Sequence, residues 1–505
     1  MTAELAEASP PPVLAETPRS WRIVIAIFIG FVTIVAYATQ TVIGPRGQAC
    51  AGVICFIGIV AMCSQNLRAI NWRTVGWGMF LQVALAFFIL KFQLPGRPEG
   101  MSLGTWLSHA VTLTATDAPA WRPGYAIFET LGAIISRFLD FSSEGAKFVF
   151  GPLANPGVMT GVFPQGGFVF AFVALPTIIF VSSFFTVLYY LGVLQAIVRV
   201  TAKGMIYAMQ TSGAETLSAV ANVFMGQTEA PLIVKPYVAG MTKSELLAMM
   251  VGGMATIAGG VMAVYIQMGA DPVAILATSV MAAPCGLYLA KIMLPETEIP
   301  DTIGGKTVHV AAPHRNVIDA AADGASEGMK LAINVAAMLI AFLAFIALFD
   351  ALAAGTKPAL LWCGVPTDWL MFWPDNLNLA MVFSWAFAPL AFLMGAEATD
   401  LLPLADLLGT KLVTNEFVAY VKLTSLESNG GYRDILTPRG YVLATYALTG
   451  FANLSSIGIQ LGGIGAMAPE RRSDLASLGA RALLVGFLAT MINASIAGMM
   501  LATGP

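Results

Sequence analysis

Charged residues are sparse along this chain, and the uncharged stretches between them have the length of membrane-crossing helices. A span needs about 20 apolar residues. Such stretches lie between Arg22 and Arg46, between Arg46 and Arg68 and, slightly short, between Arg73 and Lys91. Others run Gly167–Val198, Leu246–Gly269, Pro272–Ala290, Leu331–Phe349, Gly440–Ile464 and Ala482–Ala502. Between them, residues 94–165 form a more polar connector with Pro95, Pro98, Pro119 and Pro123. Within it, Ile127, Leu131, Ile134, Ile135, Phe138 and Leu139 recur at helical spacing beside Arg137, Asp140 and Glu144, which predicts an interfacial helix over Tyr125–Phe141. Residues 296–330 end in a helical pattern carrying Asp319, Asp323, Glu327 and Lys330, a second surface helix.

Two regions do not fit simple spans. Residues 204–240 are interrupted by Glu215 and Gln227-Thr228-Glu229, and residues 379–425 by Glu397, Asp400, Asp406, Lys411 and Glu416. Each divides into two arms of about 15 residues, which reach about 22 Å and fall short of the hydrocarbon thickness. The spacing therefore predicts two re-entrant hairpins with tips buried in protein or lining a cavity. Each tip precedes a span interrupted by small or polar residues: Gly252-Gly253-Met254-Ala255-Thr256-Ile257-Ala258-Gly259-Gly260 after the first, Gly450-Phe451-Ala452-Asn453-Leu454-Ser455-Ser456-Ile457-Gly458 after the second. Paired hairpin and broken-helix units are the pattern of a repeat-built secondary transporter with its site at the midplane.

Composition sharpens this. The 505 residues are 57% apolar and 11% charged, with mean hydropathy +0.77, against about 25% charged in soluble proteins. The chain is an all-α polytopic membrane protein of about nine spanning helices. Net charge is −3, which excludes nucleic acid as a partner by electrostatics. Cys50, Cys55, Cys63, Cys285 and Cys363 form no CxxC pair and predict neither disulfide nor metal. His309 and His314 fall in a solvated connector. The N-terminal MTAELAEASPPPVLAETPRS is acidic and proline-rich, a disordered tail rather than a signal peptide. The distribution of Lys and Arg places the N-terminus in the cytoplasm, although Lys422, Arg433 and Arg439 then lie outside.

The polar segment Asn222-Val223-Phe224-Met225-Gly226-Gln227-Thr228-Glu229-Ala230-Pro231 carries the most chemistry. A carboxylate in an apolar span marks a solute or ion path. Glycine and proline there free backbone groups for a ligand. Glu215, Asp400 and Asp406 read as paired arm residues, and Lys243 and Glu245 as a helix start. Leu461-Gly462-Gly463-Ile464-Gly465 follows no strand and reads as close helix packing, not a nucleotide loop.

These motifs resemble the concentrative nucleoside transporter family. The resemblance rests on Gly226-Gln227-Thr228-Glu229-Ala230-Pro231 with Lys235-Pro236-Tyr237, on Met241-Thr242-Lys243-Ser244-Glu245-Leu246 with the first broken span, on Asn415-Glu416-Phe417-Val418-Ala419-Tyr420, and on the second broken span. It extends from about residue 50 to the end. It implies a homotrimer in which a transport domain, holding both hairpins and broken helices as an inverted repeat, moves against a scaffold domain. It further implies Gln227, Thr228, Glu229 and Val261 on the nucleobase. Glu416, Asn453 and Ser456, with Phe451 shaping the pocket, fall on the ribose. Sodium falls to the side chains of Asn222 and Thr256 and the carbonyls of Met225 and Ile257. Gln offers donor and acceptor to a base edge, and a carboxylate accepts two vicinal hydroxyls. Asn415 either braces the hairpin or touches substrate.

The expected organisation is a tail (1–21), N-terminal spans (22–93) with the first, residues 23–44, extra to the family, the connector (94–165), the first repeat (166–295), interfacial and scaffold helices (296–355), the second hairpin and broken helix (356–470) and a last span (471–505). The expected function is sodium-driven nucleoside import across a bacterial inner membrane, in contact with membrane lipid, with no cofactor besides the coupling ion. Proton coupling through Glu229 or Glu416 is the alternative. An intramembrane enzyme is disfavoured by the lack of HExxH, GxSxG or DDxxD patterns, and a passive channel by the broken helices in paired repeats.

Overall fold

The computed structural model describes residues 16–95, 121–162, 169–302 and 315–502, apart from 371, 372, 375, 427 and 429. The tail up to residue 15, connector residues 96–120, and His309 and His314 lie outside the described residues. Among the described residues there is no strand, only an isolated bridge between Leu94 and Trp121. Eight helical stretches among the described residues are long and apolar enough to cross a membrane. The second broken helix, whose halves are each shorter, brings the count to the expected nine.

Three helices lead in: α1 (Arg19–Ala38), α2 (Gln40–Met62) and α3 (Trp72–Leu90). α1 packs along α2 and leaves Ile23, Val24, Ile27, Phe31 and Ile34 exposed, a face suited to lipid. α4 (Pro123–Phe150) covers the helix expected over Tyr125–Phe141 and extends beyond it, mainly at its C-terminal end.

The remainder is one series of elements run through twice. The first pass holds α5 (Phe170–Tyr190), α6 (Val193–Met209), a hairpin of α7 (Gly213–Ala221) and the short α8 (Ala230–Ile233) and α9 (Lys235–Val238), a broken helix α10 (Lys243–Ala255) and α11 (Gly259–Met268), and α12 (Pro272–Met293). The second pass holds α13 (Val317–Ala354), α14 (Leu379–Leu393), a hairpin of α15 (Leu401–Val413) and α16 (Glu416–Thr424), a broken helix α17 (Pro438–Leu448) and α18 (Leu454–Met467), and α19 (Arg472–Met500).

Four boundaries differ from the sequence expectation. The stretch Gly167–Val198 is two helices, because Gly192 adopts φ +80°. α6 then continues to Met209, so the first hairpin begins at Gly213 and not near 204. Residues 379–393 are a separate helix, and the second hairpin starts at Leu401; the turn between them uses Gly395 at φ +82°, where a Cβ would press on Pro45 and Ala49 of α2. Finally, the surface helix and the span Leu331–Phe349 are one 38-residue helix, α13. No breaker separates them, and the charged turns continue the same buried stripe, Ala320, Gly324, Gly328, Ala332, Val335 and Leu339. Gly324 and Gly328 allow this stripe to close on α5: a Cβ at Gly328 would lie 2.8 Å from Ile179 Cα.

The arm acids are structural, as the sequence indicated. Ser212 and Glu215 form a capping box at the start of α7, and Thr242 and Glu245 another at the start of α10. Lys291 Nζ lies 2.8 Å from Glu215 and 3.1 Å from Glu296, and donates to Ser244 Oγ at 2.9 Å. In the second hairpin, Asp406 pairs with Lys422 at 2.9 Å and accepts from the Tyr432 hydroxyl, and Asp400 accepts from Thr437. Removing one partner of a buried pair strands the other charge, a cost of about 3–5 kcal/mol. Lys291→Ala should therefore lower the melting temperature of the detergent-purified protein sharply. Adding Glu215→Gln should recover much of the loss, whereas no recovery would separate Lys291 from that carboxylate.

Candidate functional site

The two broken helices meet at their breaks. α10 ends at Ala255 and the chain runs extended through Thr256 before α11 starts at Gly259. α17 ends at Leu448 and the chain resumes helix at Leu454. At the crossing, Phe451 N–H donates to Thr256 O at 3.0 Å. Gly450 holds φ +142° there, and a Cβ on it would lie 3.0 Å from the carbonyl oxygens of Met254 and Ala255. The first hairpin tip joins this point, since Gly259 N–H donates to Phe224 O at 3.0 Å. Asn415 and Asn453 cap α16 and α18 at the same place, accepting from Val418 N and Ser456 N at 2.9 Å. The partial positive charge of these half-helix N-termini is directed at whatever occupies the junction.

A cavity of about 700 Å³, its open mouth included, lies at the junction. Gln227, Thr228, Glu229, Val261, Glu416, Phe451, Asn453 and Ser456 all line it, together with Gly226, Ala258, Asn415, Phe417, Ser455 and Ile459. The structure thus brings every residue expected on base and ribose to one cavity. Its remaining wall, Leu331, Val335, Met338 and Leu339 of α13, is wholly apolar.

The polar groups fall into two sets. Glu416 is buried, and its two carboxylate oxygens accept from the Tyr265 hydroxyl at 3.2 Å and Asn453 Nδ2 at 2.8 Å. Tyr265 is held in turn by stacking on Tyr420 at 4.0 Å between ring centroids. Two donors fix the carboxylate and leave lone pairs toward the cavity. In the other set, Gln227 donates to Ser456 Oγ and accepts from Gln460 Nε2, both at 3.3 Å. Glu229 is exposed to the cavity while its carboxylate accepts from Gly226 N–H, which shapes the tip. Thr228 packs on Gly463, where a Cβ would lie 2.6 Å from Thr228 Cγ2. This is the close packing expected of the glycines in α18.

Tyr265, Tyr420, Gln460 and the α13 wall were not anticipated. Tyr265 and Gln460 carried a signal, being polar side chains inside apolar helices that need partners. The wall residues carried none.

The residues expected around sodium sit beside this cavity. Asn222 caps α7 and Thr256 caps α10, both fully buried. Asn222 donates to Ser218 O, but its buried Oδ1 has no donor among the described residues. A Cβ at Gly252 would lie 3.2 Å from Asn222 Nδ2, so the side chain lies against α10. Thr256 Oγ1 donates to Gly252 O at 2.8 Å and keeps its lone pairs. Met225 is half-buried on the tip and Ile257 buried on the break. The last carbonyls of α10 have no helical amide to meet. A buried orphan acceptor among neutral oxygens fits a hard monovalent cation, and such an acceptor left unmet costs about 1–3 kcal/mol.

Two crossed broken helices, each preceded by a hairpin and enclosing a polar cavity, define a secondary membrane transporter. Comparison with known proteins specifies which. The Na+ dependent nucleoside transporter family matches at its N-terminal part over residues 51–114 and its C-terminal part over 274–498, with a nucleoside-recognition gate over 171–272. The chain is 39% identical to an uncharacterised transporter of Haemophilus influenzae, over 90% of this chain and 97% of that one. It is 37% identical to sodium/nucleoside cotransporter 1 of Mus musculus, over 89% of this chain and 63% of the mouse protein, so it spans just under two thirds of that relative. Among solved structures, CNTnw in an inward-facing substrate-bound state matches with TM-score 0.75 at 38% identity, over 90% of this chain and 97% of that one. A CNTnw variant in an outward-facing state matches with TM-score 0.77. The chain belongs to the concentrative, Na+ dependent nucleoside transporter family.

Proposed function

We propose that this chain imports nucleosides across the bacterial inner membrane, driven by the sodium gradient. Glu416, with Asn453 and Ser456, takes the ribose hydroxyls. Gln227, Thr228 and Glu229 read the base edge, with Val261 and Phe451 as apolar contacts. Asn222, Thr256 and the carbonyls of Met225 and Ile257 hold sodium. The observation that carries this is the union, at one junction, of a pre-oriented carboxylate and a buried orphan acceptor. Sodium at Asn222 ties the first hairpin tip to α10, and so favours the arrangement of Gln227 and Glu229 that grips the base. The apolar α13 wall offers a surface along which hairpins and broken helices move as a body without breaking hydrogen bonds. The exposed α13 residues Ile333, Ile340, Phe345 and Leu352 support a further role for this helix, packing against other copies in a trimer.

Linkage makes the coupling reciprocal. Uridine binding to the purified protein should tighten by about tenfold or more when choline chloride is replaced by NaCl, a coupling of about 1.4 kcal/mol or more. Equal affinity in the two salts would remove sodium from the mechanism.

A further inference from the structure

The two broken helices end in the same way but are completed differently. Thr256 caps α10 and its Oγ1 donates back to Gly252 O at 2.8 Å; Thr449 caps α17 and its Oγ1 donates back to Thr445 O at 2.7 Å. This shared bond sets the register of the repeat, so that Met254 in the first helix corresponds to Ala447 in the second. Beside the end of α10 lies Asn222 with its unmet oxygen. At the end of α17 a side-chain cation is present instead. Lys411, from the first arm of the second hairpin, donates its Nζ to Ala447 O at 2.7 Å and to Thr490 Oγ1 at 2.9 Å.

Lys411 is completely buried, and it forms no ion pair among the described residues. Burying an ammonium without a paired carboxylate is expensive, and proteins rarely keep one without use. Its surroundings are those of a cation site. The C-terminal end of a helix carries partial negative charge, and the Phe487 ring offers its face at 5.7 Å from Nζ. The Tyr420 hydroxyl donates to Thr445 O at 3.1 Å, so the second hairpin closes this helix end with two side chains. The same hairpin carries Glu416 at its tip.

We propose that Lys411 is a tethered cation, serving the C-terminal end of α17 as an external sodium ion serves that of α10. This rests on the sodium assignment above. The carrier then takes one sodium ion per nucleoside. The second hairpin stays docked on α17 without an ion. Ion binding therefore gates only the first hairpin.

The test is uridine binding to the purified full chain as a function of NaCl, with choline chloride holding ionic strength constant. Wild type should give a hyperbolic sodium curve. Lys411→Ala, which empties the ammonium's space, should weaken binding about tenfold or more at low sodium and make the curve sigmoidal, with a Hill coefficient approaching about 2. Methylammonium chloride should restore the affinity of this variant where choline chloride does not. Lys411→Met fills the space without charge; it should bind weakly, keep a hyperbolic sodium curve and gain nothing from methylammonium. A folded Lys411→Ala protein that keeps the hyperbolic curve, or is weakened without responding to methylammonium, overturns the proposal and leaves Lys411 a packing strut. Should the Ala variant not fold, the Met variant decides, since wild-type uridine affinity in it also overturns the proposal. Wild type that fails to bind uridine in sodium contradicts the sodium-nucleoside assignment instead.

Discussion

Glu416→Gln is expected to abolish nucleoside uptake while leaving the protein folded. The carboxylate is held by Tyr265 and Asn453, both donors, one on each oxygen. A glutamine keeps the size but turns one of those acceptors into an NH2 group. That group faces a donor, so the side chain rotates or one partner is lost. At the same time the ribose hydroxyls lose a charged acceptor. Hydrogen bonds to a charged group contribute about 1.5–3 kcal/mol each. Losing one and weakening the other predicts about 2–4 kcal/mol, roughly 30- to 1,000-fold in uridine affinity. Binding of uridine and of a base lacking the sugar separates the effects: the first should collapse and the second hardly change. A uridine affinity within twofold of wild type would move the ribose away from Glu416.

Asn222→Ala is expected to act on the ion and only through it on the nucleoside. The buried Oδ1 has no donor among the described residues, so its removal leaves no stranded partner at that atom. The freed Ser218 carbonyl, lying one turn back in the same helix, keeps its backbone bond. The fold should therefore tolerate the change. What is lost is one of a small set of neutral oxygens, about 1.5–3 kcal/mol of ion binding, which raises the sodium concentration for half-maximal uridine binding by about tenfold to a hundredfold. At saturating sodium the uridine affinity should return toward wild type. A variant with lowered uridine affinity at every sodium concentration would instead make Asn222 a structural residue of the hairpin.

The contrast between these residues explains what the sequence reveals. Gln227, Glu229, Glu416 and Asn453 stand out because each interrupts an apolar run where an unpaired polar group is costly. The paired hairpins and breaks are legible for the same reason. Boundaries inside apolar sequence are not: nothing in the hydropathy of Gly167–Val198 marks the left-handed turn at Gly192, and residues 379–393 are as apolar as a hairpin arm. The continuity of α13 was hidden by its charged first turns, which read as surface while Gly324 and Gly328 were already packing on α5. Tyr265 and Gln460 reach the site from helices whose own pattern is apolar, and only the crossing of the two breaks shows what they hold. Lys411 reads as one interruption among several in the second hairpin. Its partner, the end of α17, is remote in sequence.

The most direct measurement is uptake of radiolabelled uridine and adenosine into proteoliposomes, with an inward sodium gradient and an inward proton gradient imposed separately, and Glu416→Gln as control. Uptake above equilibrium driven by sodium, absent with the proton gradient and lost in the variant, is the predicted result. Uptake driven by protons alone would leave the nucleoside site standing and remove the ion from Asn222 and Thr256, and no uptake under either gradient would contradict nucleoside transport itself.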